Sequence, residues 1–152
     1  MRKLTLFLFV LAVTPAFSAD MAKVRDLFAK ISIDQTSCKS LISLTKSYSL
    51  SNEPLLYAYY AAAEMALANH TSWPSAKLAH FNSGKSKLEA AIKKYPNDAE
   101  MRYIRYCVQQ GCPFFLGYSS DKQADKKFVL DHIDQTDWTA AYRKKVREHL
   151  NA

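Results

Sequence analysis

Glycine contributes three of the 152 residues and proline five. That excludes a collagen-like, linker-rich or turn-dense β chain. Gly84, Gly111 and Gly117 are too dispersed for a phosphate-cradling loop. The chain has no Gly-Xaa-Ser-Xaa-Gly elbow and no His-Glu-Xaa-Xaa-His zinc motif. Its four histidines, His70, His80, His132 and His149, never fall three or four apart, the spacing that lets one helix present two metal ligands. These absences predict a non-catalytic protein without metal or cofactor. Past residue 18 the longest apolar run is Leu55–Ala68, 14 residues carrying Glu64. It is too short to cross a bilayer, so no stable membrane insertion is expected once the first residues are removed.

Those first residues form a distinct segment. Arg2 and Lys3 precede the ten-residue apolar run Leu4–Val13, and Thr14-Pro15 breaks it. Ala16-Phe17-Ser18 then puts small residues at the two sites a signal peptidase reads. Residues 1–18 are expected to be a secretory signal, and residues 19–152 a single domain of 134 residues. That length buries a core without metals or staples. The expected location is the periplasm or the cell exterior. The net charge is +7, or +5 once Arg2 and Lys3 are removed. The cations are spread over helix faces, as at Lys85, Lys87, Lys93 and Lys94, and again from Arg143 to Arg147. This falls short of the clustered patch that binds nucleic acid.

Cysteine is also scarce. Cys38, Cys107 and Cys112 would meet an oxidising compartment, where an odd count allows one bridge and leaves one thiol over. Cys107 and Cys112 bridge only if Gly111 ends the helix and the chain folds back. Cys38 with either is also open, and so are three buried free thiols.

What is present is helical periodicity. Met21, Val24, Leu27, Phe28 and Ile31 make one amphipathic stripe over Asp20–Ile31. Asp34 or Ser37 can cap a second helix to about Tyr48. Pro54 suits the first turn of a third, Leu55–Asn69, which is apolar nearly all round and is expected between other helices. Further helices are expected over Ala76–Tyr95 with Ser75 as cap, and over Ala99–Gln110 capped by Asp98 or Asn97. Another is expected from Ser119 or Ser120 to about Ile133, and a last one over Trp138–Leu150 capped by Asp137. Pro113–Tyr118 (PFFLGY) reads as a tucked apolar loop. Short connections between successive helices predict an all-α fold of antiparallel hairpins.

Two resemblances follow. Gly84, Leu88, Ala91 and Pro96 stand at offsets of 4, 3 and 5, and so resemble the second helix of a tetratricopeptide repeat. There small residues let paired helices approach and the proline forces the next turn. The loop at Trp73 is longer than that repeat's, and no second copy of the signature occurs. In addition, Tyr95-Pro96-Asn97-Asp98-Ala99-Glu100-Met101-Arg102-Tyr103-Ile104-Arg105, then Pro113–Tyr118, then Asp125-Lys126-Lys127-Phe128-Val129, resemble a family of small uncharacterised secreted bacterial proteins. They share a "P-N-x-x-E-x-R-F-x-R … P-x-F-L-x-Y … D-K-x-F" pattern over roughly Leu55–Ile133. The resemblance implies a tetratricopeptide-like helical repeat bundle and export, and no particular activity.

Candidate binding residues are the polar ones placed where core is expected. Glu64 is the one charge in its helix, and Arg102, Arg105 and Gln109 form a stripe at spacings of 3 and 4. The planar fork of arginine suits a carboxylate. Two readings stand. Either Glu64, Glu100 or Asp125 pairs with these arginines and holds helix register, or an arginine points into a groove and takes an anionic end. Glu64 is expected to contact Arg102 or Arg105. Asp121 and Asp125, beside Lys122 and Lys126, read as a solvated, salt-bridged face. Tyr60 and Tyr118 could line the groove with ring and hydroxyl. The expected function is an envelope interaction or scaffold module that binds a peptide or protein in a helical groove. The alternative is a small-ligand binder or enzyme using Glu64 with Arg102 or Arg105.

Overall fold

A computed structural model describes residues 20–152, and the expected signal, Met1–Ser18, lies outside them. Among the described residues there are seven α-helices and no strand, and no helix is long and apolar enough to cross a membrane. The helices are α1 (Met21–Phe28), α2 (Gln35–Thr45), α3 (Pro54–Ala66), α4 (Pro74–Lys94), α5 (Ala99–Gly111), α6 (Lys122–His132) and α7 (Ala140–Asn151).

Local chemistry sets most of the starts. Asp20 accepts from the Ala22 amide, Asp34 from those of Thr36 and Ser37, and Asp98 from that of Met101, each supplying an acceptor to an orphan donor of the first turn. Pro54 opens α3 without loss, because the first helical position needs no N–H. Three expected caps differ. Pro74 starts α4, so Trp73 rather than Ser75 occupies the cap position. Thr139, not Asp137, accepts from the Tyr142 amide at the start of α7. Asp121, not Ser119 or Ser120, stands at the α6 cap position and makes no capping bond; its Oδ2 accepts from Gln109 and Ser120.

Helix α3 is buried on nearly every side, with Ala58, Tyr59, Ala61, Ala62 and Ala63 wholly inaccessible. It shares its largest interface with α4, and packs also on α2 and α5. Gly84 makes the α3–α4 approach possible. A Cβ there would stand 2.4 Å from the Ala61 carbonyl oxygen and 2.4 Å from the Met65 Cγ. The main core joins α1 to α5 around Val24, Leu41, Tyr59, Leu88 and Ile104. A second core, with Tyr106, Val129, Ile133, Trp138, Val146 and Leu150, fills the space between α5, α6 and α7.

The PFFLGY segment departs from expectation. It forms a 3-10 turn, Phe114–Leu116, closed by Gly117 at φ 60°, a left-handed backbone that glycine tolerates without Cβ strain. Only part of it is tucked. Tyr118 is buried, while Phe114 is 94% and Phe115 83% exposed.

Candidate functional site

The buried charges are mutually satisfied. Asp125 on α6 is fully buried, which corrects the solvated face read from its neighbouring lysines. Its carboxylate accepts from Arg105 Nε at 2.6 Å, Arg105 Nη2 at 2.9 Å and Arg102 Nη1 at 3.1 Å. Arg105 also donates through Nη1 to Glu89 at 2.9 Å. Burial opposes its charge, but the hydrogen bonds and charge of Asp125 outweigh that and hold the guanidinium firmly protonated. Arg102 lies over the Phe128 ring at 4.3 Å and donates to the Pro96 carbonyl. Gln109, 1% exposed, donates to Asp121 at 3.1 Å, while its Oε1 has no hydrogen-bond partner among the described residues. Burial works against charge on Asp121, yet the hydrogen bonds from Gln109 and Ser120 keep its carboxyl below the ordinary range. Tyr118 donates its hydroxyl to Glu89 and holds its ring under Lys85, 4.7 Å away.

Glu100 joins the two cores. It accepts from Arg25 Nε and Nη2, both at 2.7 Å, from the Tyr59 hydroxyl at 2.5 Å and from Trp138 Nε1 at 2.7 Å. One carboxylate on α5 thereby ties α1, α3 and the segment entering α7. The Glu100 hydrogen bonds, against the cost of burial, raise the Arg25 pKa further above its ordinary value.

Glu64 does not meet the arginines. It accepts from Ser83 at 2.8 Å and Lys87 at 2.6 Å, both on α4. The reason is the α3–α4 approach at Gly84, which turns the Glu64 face of α3 toward α4 rather than α5. The pairing of Glu64 with Arg102 or Arg105 is therefore corrected, and the alternative site built on it is not assembled. Tyr60 lies beside the same pair, its ring 5.6 Å from Lys87 Nζ.

The cysteines are free thiols. Of the alternatives open from sequence, the Cys107–Cys112 bridge is not formed, because α5 continues through Gly111. A spacing of five sends the two side chains to different sides of a helix, at about 100° per residue. Cys107 Sγ lies 3.9 Å from His149 Nδ1, and burial pushes its pKa up to about 12. Cys38 is wholly buried, donates to the Ala63 carbonyl, and is pushed to about 11 by burial.

A concave feature of the described residues lies elsewhere. A groove of about 860 Å³ opens between α1, α3, α4, α5 and α7. Its floor is Ala62 and Met65 of α3 with Phe81 of α4, all buried. Phe28 of α1, Leu78 of α4 and Tyr142 of α7 stand along its walls, and both Cys107 and Cys112 reach it. Not one of Tyr60, Glu64, Arg102, Arg105, Gln109 or Tyr118 lines it. Reading polar residues in apolar helices found the ion pairs that hold the bundle, because buried charges are kept where they are paired. The residues of the groove floor are ordinary apolar ones, and from sequence they are indistinguishable from core. The one signal that pointed to it was an excess of aromatics in turns, at Trp73 and Phe114-Phe115.

Among the described residues five large hydrophobics are exposed, and two of them line this groove. The five are Ile33, Trp73, Leu78, Phe114 and Phe115, between 50% and 94% exposed. Leu78 and Phe115 line the groove directly. Ile33 adjoins the lining residue Ser32, Trp73 adjoins Pro74, and Phe114 sits between Pro113 and Phe115, which also line it. A contiguous apolar surface marks an interaction site, whereas scattered single residues do not.

Compared with family models, curated proteins and solved structures, the chain matches none.

Proposed function

We propose that this protein is a non-catalytic interaction module of the cell envelope, whose groove receives an apolar segment of a peptide or protein partner. The observation that carries the reading is a largely apolar groove whose lining includes two exposed large hydrophobics, Leu78 and Phe115. The volume, about 860 Å³, stands near the top of the range that encloses small molecules. The paired state of the buried charges adds support, since Arg25, Arg102 and Arg105 are all engaged by carboxylates of the same chain.

The frame in this reading is tetratricopeptide-like. Tyr60 and Glu64 of α3 meet Lys87 of α4, and Glu64 also meets Ser83, an order that runs counter along the two helices. Gly84 occupies the small-residue position at which the paired helices press together. The tripartite pattern of Met1–Ser18 supports export.

The test uses the exported protein as bait against envelope extract, beside a variant carrying Leu78→Asp and Phe115→Asp. Both residues are exposed, so the melting temperature should hold. The expected result is a protein retained by the wild type and lost by the variant. Equal retention by both, or no retained protein from a wild type whose groove takes up an apolar dye, would overturn the reading.

A further inference from the structure

The groove is one-sided in charge. Among its lining residues are Arg25, Lys77, Lys145 and His149, and there is no aspartate or glutamate. Two of these four are committed inside the protein. Arg25 is held bidentately by Glu100 and stacks 4.4 Å from the Tyr142 ring centre. His149 lies 2.8 Å from the Tyr103 hydroxyl through Nδ1, and burial lowers its pKa. Lys77 and Lys145 are different. Both are exposed and neither belongs to an ion pair among the described residues, although Lys145 lies near enough to Asp26 to help hold that carboxyl below its ordinary range. Lys77 comes from the first turns of α4 and Lys145 from α7, so two exposed cations stand on different helices bordering one apolar floor.

Resting on the binding reading above, we infer that the occupant is an amphipathic helix of a partner protein, with acidic residues flanking its apolar stripe. The apolar face meets Met65, Leu78, Phe81 and Phe115, and its carboxylates meet Lys77 and Lys145. Three considerations select a helix of this charge. An extended peptide adds to a sheet edge, and the described residues contain no strand. A helix lays an apolar stripe into a groove without needing backbone partners from it, so a lining of side chains suffices. A flat bilayer would leave a groove of about 860 Å³ unfilled. A basic helix is disfavoured because no carboxylate in the lining answers it, and like charges across an interface suppress the wrong partner.

The experiment measures fluorescence anisotropy of three synthetic helical peptides with one common leucine stripe. Their flanking positions carry glutamate, glutamine or lysine, and the protein is produced from the full chain. At low salt the glutamate peptide should bind roughly tenfold more tightly than the lysine peptide, with glutamine between, and the spread should shrink at high salt. A protein carrying Lys77→Glu and Lys145→Glu should reverse that order. Both residues are exposed, so its melting curve should match wild type. Equal binding of all three peptides would overturn the acidic-flank inference and leave the groove reading standing. Binding by none of them, or binding of palmitate or anionic vesicles alone, would overturn both.

Discussion

Removing the Asp125 carboxylate should be among the most damaging single changes in the protein. In Asp125→Leu the branched heavy-atom outline is kept, with methyls larger than the oxygens they replace, and the acceptor is lost. Arg102 suffers little, because its side chain is 21% exposed and retains the Pro96 carbonyl. The cost falls on Arg105, whose side chain is only 9% exposed. Its Nε and Nη2 lose their partners at 2.6 and 2.9 Å, while Nη1 keeps Glu89. Stranding a buried charge costs about 3–5 kcal/mol. The surviving Glu89 contact puts this case near the lower end, about 3 kcal/mol. For a chain of this size that lowers the melting temperature by roughly 10 °C. Urea unfolding followed by far-UV circular dichroism measures it, with Asp131→Asn as control. Asp131 pairs with Lys127 on the exposed face of α6, and its loss should leave the curve in place. Arg105→Leu completes a double-mutant cycle. The double variant should be more stable than the sum of the singles by about 2 kcal/mol, because the charges it leaves without an ion partner, Arg102 and Glu89, are both partly exposed. A loss under about 1 kcal/mol for Asp125→Leu, or singles that simply add, would refute a role for this ion pair in holding α5 and α6 in register.

Further outcomes follow from the same geometry. Gly84→Ala should destabilise by about 1–3 kcal/mol despite alanine's better helix propensity, since the new Cβ meets the Ala61 carbonyl backbone; a rise in melting temperature would count against so close an α3–α4 contact. Glu100→Gln should weaken the junction of the two cores and shift the Trp138 emission, because the indole N–H loses a charged acceptor; an unchanged spectrum and melting curve would contradict it. In alkali, stability should be flat up to about pH 9 and then fall toward pH 12. Cys38 and Cys107 are raised from an ordinary value of 9.0 to about 11 and about 12, so the folded state keeps them neutral and the unfolded state ionises first. The decline should be smaller in a Cys38→Ala, Cys107→Ala variant, and an equal decline in both proteins would assign it to other groups. Iodoacetamide should modify Cys112 before Cys38, which is wholly buried.

How far the sequence reached depended on how local each question was. Helices are declared by patterns a few residues long, so the all-α class, the Asp34 and Asp98 caps and the Pro54 start were legible from spacing alone. Boundaries moved where two local signals competed. Pro74 outweighed Ser75, and Asp121 rather than Ser119 or Ser120 stands at the α6 cap position. Which carboxylate meets which arginine was not legible, because a charge in an apolar helix requires a partner without specifying it. The choice rests on how α3, α4, α5 and α6 pack. Gly84 draws α4 onto α3 and gives Glu64 to Lys87, leaving Arg105 to Asp125 on α6. The groove is the least local feature of all. Met65, Leu78, Phe81 and Phe115 read as core in any one-dimensional pattern, and only the arrangement of α1, α4, α5 and α7 around α3 leaves them facing an opening. The sequence by itself determined the helices and the presence of charges needing partners. The tertiary structure alone decided which charges pair and where the apolar surface stays uncovered, because both depend on distances between residues far apart in the chain.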